Sequence, residues 1–134
     1  YAAVIPRWID SLQNGNDIHI FGDGETSRDF CYIKNVIQAN ILAATAPDDA
    51  KNHIYNISVG GQTTLTELFK ILIDIVQPSH TDYNSKAIYK DYRAGDIRHS
   101  IADITKASLS LGYLPEYSLE QGLKILVQKL SSYK

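Results

Sequence analysis

The sequence predicts a small α/β domain of the mixed α+β kind, in which three or four short strands are interspersed with about five helices. Short runs of alternating apolar residues, such as Ile18-His19-Ile20-Phe21, indicate strands. Longer segments, such as Asn35–Ala46, repeat apolar residues at helical spacing. No strand leads into a Gly-x-Gly-x-x-Gly turn, which marks a doubly wound nucleotide-binding sheet. We therefore expect an α/β layer that does not itself contain such a sheet.

The helices are predicted from their apolar periodicity and from residues that begin or end helices. Pro6 suits the first turn of the first helix, where its missing N–H is no loss. Capping boxes begin the third helix at Thr64 and the last helix at Ser118, and Asp103 can cap the fourth. The expected helices are Ile5–Gln13, Asn35–Ala46, Thr64–Val76, Asp103–Gly112 and Ser118–Leu130.

Strands and loops are expected between these helices. Alternation and turn residues predict their limits. Ile18–Phe21, Ile54–Val59 and Ala87–Tyr92 read as strands, and Asp29–Ile33 as a short extended piece. The loops are expected at Gly22–Ser27, at the Gly60-Gly61 turn and at Pro78–Asn84.

Composition limits the possible classes of protein. The 134 residues suffice for one domain, and 44% apolar residues can form a core. A net charge of −2 gives no reason to expect a nucleic acid or an anionic membrane as partner. The single cysteine, Cys31, excludes an internal disulfide and fits a cytoplasmic location. The chain begins at Tyr1 without methionine, so we expect a fragment of a longer polypeptide whose missing part is N-terminal.

Two arginines in glycine-containing loops carry the main functional signal. Arg28 follows Gly22 to Ser27, and Arg93 precedes Ala94-Gly95-Asp96. Arginine presents a planar set of donors that matches phosphate oxygens in pairs, and glycine lets backbone approach a ligand closely. If the two loops converge, they predict a site for a phosphorylated small molecule. Asp96 could then accept hydrogen bonds from a sugar diol.

Each of these residues also has a plain structural interpretation. Arg28 could be a solvated arginine paired with Asp29 or Glu25, and such surface pairs are common and weak. Asp96 could bond its own backbone within a turn. Phe21 could stack on a base or belong to the core. The four histidines form no ligand pattern, so we predict no metal site, and Cys31 is expected to be an inert thiol.

In combination, these segments resemble the extended short-chain dehydrogenase/reductase family, and more narrowly the C-terminal substrate domain of nucleotide-sugar 4-epimerases. The segment from Arg93 to Asp103 is most similar to that of UDP-N-acetylglucosamine 4-epimerases. The resemblance covers nearly the whole chain. The residues that carry it are Val4-Ile5-Pro6, Gly15, Ile20-Phe21-Gly22-Asp23-Gly24, Arg28-Asp29-Phe30, Tyr55-Asn56-Ile57-Ser58-Val59-Gly60 and Arg93-x-Gly95-Asp96-Ile97-Arg98-His99-Ser100-x-Ala102-Asp103.

The resemblance implies a function for a parent protein. Family members bind NAD on an N-terminal Rossmann domain and a UDP-sugar in the cleft against this smaller domain, and the parent is expected to be a homodimer. A tyrosine of a Tyr-x-x-x-Lys motif removes the C4 hydroxyl proton while NAD takes the C4 hydride. None of the nine tyrosines here has lysine four residues later. We therefore expect the catalytic and NAD-binding residues to lie outside this chain, which alone would be inactive.

The resemblance also implies roles for individual residues. Arg28 and Arg93 match the two arginines that bind the diphosphate, and Asp96 matches the acidic residue that bonds the uridine ribose. His19, Ile20 and Phe21 fall where the strand and an aromatic ring contact uracil. Ser100 falls opposite the C2 substituent of the sugar, where a small residue leaves room for an N-acetyl group.

Three alternatives remain open at this stage. Nucleotide-sugar 4,6-dehydratases and UDP-glucuronate 4-epimerases share much of the Arg28-Asp29-Phe30 segment, so either of these, or a UDP-glucose 4-epimerase, is an alternative on the same scaffold. The base could be thymine instead of uracil. A free-standing nucleotide-sugar-binding module is the alternative from another class.

Overall fold

The computed structural model of the protein describes residues 4–76 and 84–132. This part of the chain is a mixed α/β fold with five α-helices, one 3-10 helix (Asp48–Ala50) and four short strands, which confirms the predicted fold class. The elements in chain order are α1 (Val4–Gln13), β1 (Ile18–Phe21), β2 (Ser27–Arg28), α2 (Ile33–Ala44), β3 (Thr63–Thr64), α3 (Leu65–Val76), β4 (Ala87–Lys90), α4 (Thr105–Leu111) and α5 (Leu119–Ser131). Among these helices none has the length and apolar composition to cross a membrane.

The strands form two separate pairs. β1 and β4 are parallel, with Ile18 opposite Ala87 and Phe21 opposite Lys90. β2 and β3 are antiparallel, with Ser27 opposite Thr64. Ser27 also forms a bridge to His99, so the short strand β2 lies between two distant parts of the chain. Parallel strands end at the same edge of a sheet, so the residues that follow β1 and β4 emerge side by side.

Two apolar clusters form the core. The larger one joins α1, β1, α3 and α5 through completely or almost completely buried side chains, and α1 and α5 both pack against α3. The smaller one joins α2 to α4 and the chain that follows it. The larger cluster contains Trp8, Ile9, Leu12, Ile18, Ile20, Leu68, Leu72, Val76, Leu123 and Val127. The smaller contains Ala39, Ala46, Ala50, Ala107, Leu111 and Tyr113.

Both predicted capping boxes are present. The Thr64 N–H donates to the Glu67 carboxylate at 2.8 Å, and the Glu67 N–H donates to Thr64 Oγ1 at 3.1 Å. The Thr64 N–H and the Thr64 hydroxyl both donate to the Glu67 carboxylate, and these two hydrogen bonds lower the pKa of Glu67. The same reciprocal pair joins Ser118 and Gln121 at the start of α5. In each case side chains satisfy backbone donors that a helix N-terminus leaves free.

The predicted strand Ile54–Val59 is wrong, because none of its residues joins a strand. Ile54 is 88% exposed, so this apolar side chain of the alternating pattern does not pack into a core. Side chains bind this backbone instead: the Asp29 carboxylate accepts the Val59 N–H at 3.2 Å, and the Tyr113 hydroxyl donates to the Ser58 carbonyl at 2.7 Å. Alternation indicates a strand only where a neighbouring strand can pair with it.

Smaller differences concern the ends of elements. α2 begins at Ile33, two residues before the predicted start, and β4 ends at Lys90. The Asp103 carboxylate accepts the Thr105 N–H at 2.9 Å, but the residue at the cap position of α4 is Ile104. Gly112 ends α4 with a left-handed φ of 67°, as predicted. The predicted loop Pro78–Asn84 lies outside the described residues except for Asn84.

Helix α2 carries apolar side chains on two faces. Ala39 is buried against α4, whereas Ile33, Ile37 and Ile41 are 49–60% exposed and follow one another at four-residue spacing. Lys34 is the single charged residue of this helix. Apolar side chains on both faces are typical of a helix that is covered on both sides.

Candidate functional site

A cavity of about 480 Å³ opens between α1, β1, the loop after β1 and the segment after β4. Its size lies within the range of small-molecule sites. Five of the seven residues predicted to contact a ligand line it: His19, Phe21, Arg28, Arg93 and Asp96. The other lining residues are Val4, Arg7, Trp8, Ser11, Asp17, Ile18, Thr26 and Leu65.

Phe21 and Arg93 form one wall of the cavity. The guanidinium carbon of Arg93 lies 3.6 Å from the centroid of the Phe21 ring, which is a stacked cation–π contact. Phe21 is the last residue of β1, and Arg93 lies three residues after the end of its parallel neighbour β4. The ring is neither fully buried nor fully exposed, and Arg93 covers one of its faces. A base that stacked on Phe21 would therefore use the other face or displace Arg93.

Arg28 lies at the end of β2, with its guanidinium held by backbone oxygens. Nη1 donates to the Ser27 carbonyl at 2.8 Å and approaches the Arg98 carbonyl at 3.5 Å. Within the described ranges, neither Arg28 nor Arg93 forms an ion pair with a carboxylate. The structural alternative, in which Arg28 pairs with Asp29 or Glu25, is therefore wrong. Both cations retain donors for an anion in the cavity.

Asp29 has a structural role. Its carboxylate accepts three backbone N–H groups, from Val59 at 3.2 Å, Gly60 at 3.1 Å and Ala102 at 3.3 Å. These donors belong to two chain segments that are far from Asp29 in sequence. Because Asp29 directly follows Arg28, these hydrogen bonds hold both segments close to Arg28.

Asp96 completes a tight turn that begins at Arg93. Its N–H donates to the Arg93 carbonyl at 3.3 Å, and Gly95 has a φ of 84°, which a side chain would disfavour. The Asp96 carboxylate accepts no hydrogen bond from the part of the chain that the structure describes, so it does not bond its own backbone. The turn thus presents a cation and a carboxylate to one cavity.

Arg98 is a functional candidate that the sequence analysis did not assign. Its Nη2 donates to Asp23 Oδ2 at 2.6 Å, and its Nη1 donates to the Tyr92 hydroxyl at 3.0 Å. The Arg98 hydrogen bond lowers the pKa of Asp23 to about 2, and the same bond raises the pKa of Arg98. The sequence offered only opposite charges in the two loops, with Asp23 and Glu25 in the first and Arg98 after the second, and nothing in it selects the Arg98–Asp23 pair.

Two predicted site residues do not line the cavity. The Ile20 side chain is completely buried in the larger core cluster, so only its backbone could face a ligand. Strand alternation explains this, because successive side chains point to opposite faces: Ile20 points into the core, whereas His19 and Phe21 point away from it. Ser100 is exposed beside β2, where its N–H donates to the Ser27 carbonyl at 3.2 Å.

Cys31 and Tyr113 lie next to each other, and neither lines the cavity. Burial raises the pKa of the Cys31 thiol and raises the pKa of Tyr113 to about 12. Both groups are therefore protonated near neutral pH. A protonated thiol is a poor nucleophile.

Among the described residues, neither β1 nor β3 leads into a helix N-terminus with free donors. The loop after β1 leads into β2 and not into a helix. β3 does lead into α3, but Thr64 and Glu67 occupy the donors at that helix N-terminus. Anion sites of dinucleotides need those donors free. Residues 4–76 and 84–132 also contain no cluster of three His, Cys, Asp or Glu side chains that could hold a metal ion.

Comparisons with known proteins show which family this chain resembles. Residues 1–58 match the model of the NAD dependent epimerase/dehydratase family. A putative UDP-glucose 4-epimerase of Methanocaldococcus jannaschii is 37% identical over 126 residues, which are 94% of this chain and 38% of that protein.

Two solved structures share the fold. A UDP-glucose 4-epimerase from Thermotoga maritima, solved with UDP-glucose, is 41% identical with a TM-score of 0.86, over 98% of this chain and 40% of that one. A UDP-N-acetylglucosamine 4-epimerase from Methanobrevibacter ruminantium, in complex with UDP-N-acetylmuramic acid, is 38% identical with a TM-score of 0.85. The match covers 100% of this chain and 41% of that one. The chain thus spans about two fifths of the length of these relatives. It belongs to the NAD-dependent epimerase/dehydratase family, within the extended short-chain dehydrogenase/reductases.

Proposed function

We propose that this chain is the C-terminal, nucleotide-sugar-binding part of a 4-epimerase that interconverts UDP-N-acetylglucosamine and UDP-N-acetylgalactosamine. One observation carries the proposal: two arginines without carboxylate partners, an aromatic ring and a carboxylate line the same cavity. A diphosphate, a base and a ribose diol require these three kinds of group.

In this proposal each group binds a different part of the substrate. Arg28 and Arg93 donate to the diphosphate, since arginine pairs its N–H groups with phosphate oxygens. Asp96 accepts from the ribose hydroxyls. Phe21 and the backbone of His19 and Ile20 contact the uracil. The arginines approach the cavity from β2 and from the turn after β4, so one diphosphate between them would be bound from two sides.

The chemical step requires the rest of a longer polypeptide. We propose that this part binds NAD, which accepts and returns the hydride at C4, and supplies the catalytic tyrosine and lysine. Two observations favour it: the relatives are more than twice as long as this chain, and Ile33, Ile37 and Ile41 expose an apolar stripe on α2 that a packed domain would cover. This chain alone would then be inactive.

The test compares the natural full-length polypeptide with residues 1–134 alone. Each is incubated with NAD and UDP-N-acetylglucosamine, and UDP-N-acetylgalactosamine is measured by chromatography. We expect product only from the full-length polypeptide. Product from residues 1–134 above a no-protein control would contradict the proposal that the catalytic groups lie outside this chain. If the full-length polypeptide converted no UDP-sugar, the epimerase assignment would be wrong.

A separate experiment tests whether another domain packs on the exposed face of α2. Ile37→Lys in the full-length polypeptide should lower the melting temperature, because a lysine would be buried against the packed domain. The same substitution in residues 1–134 should be close to neutral, since Ile37 is 49% exposed there. Equal effects in the two proteins would argue against a domain packed on this face.

UDP-glucose is the second candidate substrate, because two of the three relatives described above carry the name UDP-glucose 4-epimerase. The small side chain of Ser100 favours the acetylated sugar in our proposal. A direct measurement of kcat/KM for UDP-glucose and UDP-N-acetylglucosamine on one preparation decides between them. A clear preference for UDP-glucose would overturn the N-acetyl assignment and leave the epimerase proposal in place.

A further inference from the structure

Arg98 connects the two loops that carry the predicted binding residues. Its guanidinium bonds Asp23 at 2.6 Å and the Tyr92 hydroxyl at 3.0 Å. Asp23 lies two residues after Phe21, and Tyr92 immediately precedes Arg93. The two hydrogen bonds of Arg98 therefore join the backbone next to Phe21 to the backbone next to Arg93.

The backbone of Arg98 makes a second connection, to Arg28. Its carbonyl accepts the Ser27 N–H at 2.9 Å and lies 3.5 Å from Arg28 Nη1. The Ser100 N–H returns a bond to the Ser27 carbonyl at 3.2 Å. Arg98 thus connects both halves of the site, with its side chain bonded to Asp23 and Tyr92 and its main chain at Ser27 and Arg28.

Close packing supports the first connection. The Tyr92 ring lies so close to Gly22 that a β-carbon added at Gly22 would overlap its Cε1 atom. Gly22 also has a φ of 86°, a conformation that glycine adopts readily. Asp23 is fixed on its other side, because its Oδ1 accepts the Glu25 N–H at 3.0 Å. The carboxylate that receives Arg98 therefore has a defined place in the loop.

The charges favour a positioning role over a direct contact with the ligand. The charge of Arg98 is balanced by Asp23 in an ion pair, whereas Arg28 and Arg93 have no such partner among the described residues. Arg7 of α1 also lines the cavity without an ion-pair partner among the described residues, and unpaired cations at one cavity repel one another until an anion lies between them. Holding Arg28 and Arg93 in place before binding reduces the ordering cost that a ligand must overcome.

We propose that Arg98 is a positioning residue, which through Asp23 and Tyr92 holds the Phe21–Arg93 wall and the Arg28 guanidinium in register for one diphosphate-bearing ligand. This inference rests on the proposed function, because the ligand is the one that the cavity is proposed to bind.

The test measures the dissociation constant of UDP, by titration calorimetry, on variants of the natural full-length polypeptide. Arg98→Ala and Asp23→Ala should each weaken UDP binding by about three- to tenfold, the effect of leaving one or two long side chains to be ordered on binding. Arg98→Lys keeps the charge for Asp23 and should recover part of the loss. Lys124→Ala is the matched control, since it removes an exposed 2.7 Å ion pair with Glu120 on α5, which lines no part of the cavity.

Two comparisons separate positioning from a direct or a merely structural role. When Arg98→Ala is added to Arg93→Ala, UDP binding should weaken by less than about a further twofold, because the effects of two residues that act through one another are not additive. Melting temperatures of the single variants should stay close to that of the parent. If Arg98 bound phosphate directly, Asp23→Ala would leave UDP binding unchanged or tighter, and that result would overturn the inference.

The remaining outcomes distinguish this inference from the proposed function. If Arg28→Ala and Arg93→Ala weaken UDP binding but Arg98→Ala and Asp23→Ala do not, the positioning role is wrong and the site stands. If none of the four substitutions affects UDP binding, the site itself is wrong. Should Arg98→Ala fail to fold, Asp23→Ala and Arg98→Lys still provide the comparison, because each retains one side of the contact.

Discussion

Arg93 stacks on Phe21 with its guanidinium carbon 3.6 Å from the ring centroid, although the two residues are 72 positions apart in the chain. The parallel register of β1 and β4 brings them together, since Phe21 lies opposite Lys90 at the carboxyl edge. The contact is worth about 0.5–1 kcal/mol at an exposed site. Its larger consequence is geometric, because it holds the Arg93 cation over the Phe21 ring at one wall of the cavity.

The proposed diphosphate contacts predict a particular kinetic signature. In the full-length polypeptide, Arg28→Ala or Arg93→Ala should raise KM more than it lowers kcat, because the diphosphate is remote from C4 and is bound alike in the ground and transition states. Each charge-assisted contact is worth about 1.5–3 kcal/mol. Lys51→Ala, which removes an exposed ion pair with Asp48, is the control. A large fall in kcat at unchanged KM would show that the arginines act otherwise.

Ser100 lies outside the cavity lining, but the family resemblance implies that it faces the C2 substituent of the sugar, and on that ground we expect it to determine the choice between acetylated and plain sugars. Ser100→Tyr should fill the space of the acetamido group at a cost of about 1–3 kcal/mol. The value of kcat/KM for UDP-N-acetylglucosamine should then fall by roughly ten- to a hundredfold. UDP-glucose, which has a hydroxyl at C2, should be nearly unaffected. Equal losses for the two sugars would indicate general destabilisation and remove Ser100 from the specificity argument.

The pKa of Asp23 gives a pH-dependent test of the Arg98 contact. A carboxyl whose pKa is lowered on folding stabilises the fold above its unfolded pKa, near 3.8, and loses that contribution as pH falls through about 2. A carbon-13 NMR titration of the Asp23 carboxyl should therefore show a midpoint near 2. In Arg98→Ala the midpoint should move up towards 3.8. The Asp103 carboxyl, whose pKa is lowered by Thr105, should titrate identically in both proteins.

Asp29→Ala should destabilise the fold even though Asp29 lines no part of the cavity. The substitution removes the acceptor for three backbone N–H groups, in Val59, Gly60 and Ala102. We expect the free energy of unfolding to fall by about 2–3 kcal/mol, because three donors lose their partner and the hydrogen bonds of Val59 and Ala102 are partly buried. Urea denaturation measures this. Asp48→Ala, at an exposed carboxylate, is the control, and a loss below about 0.5 kcal/mol at Asp29 would contradict the structural role.

Gly122 in α5 should tolerate no side chain. A β-carbon there would lie 2.8 Å from Cβ and Cγ of Tyr32. Gly122→Ala gains about 1 kcal/mol of helix propensity, but we expect the overlap to outweigh this gain and to lower the melting temperature. Gly61→Ala is the matched control, since its nearest atom would be at 3.8 Å, an ordinary contact. A Gly122→Ala protein that melts higher than the parent would show that Tyr32 moves aside.

Local signals predicted the helices well, for a physical reason. A capping box depends on residues three apart, so Thr64 with Glu67 and Ser118 with Gln121 could be identified without knowledge of the fold. Gly112 ended α4 for a similarly local reason, because glycine accepts the left-handed φ that follows a helix.

The segment Ile54–Val59 shows where local signals fail. Its alternation is typical of a strand, but a strand also needs a partner edge, and the sequence does not say whether one is near. Side chains of Asp29 and Tyr113 bind this backbone instead. The short strand at Ser27–Arg28 was missed for the converse reason, since only its pairing with Thr63 and Thr64 defines it.

The sequence by itself determined which residues could bind a phosphorylated ligand, because arginine, aspartate and glycine in two loops are chemically suited to it. Only the tertiary structure decided which of them face one cavity. It placed Arg28, Arg93 and Asp96 there, turned the Ile20 side chain into the core and left Ser100 outside the lining. It also joined Arg98 to Asp23 across 75 positions. Residue chemistry is local, whereas convergence depends on strand register and loop packing, which are properties of the whole fold.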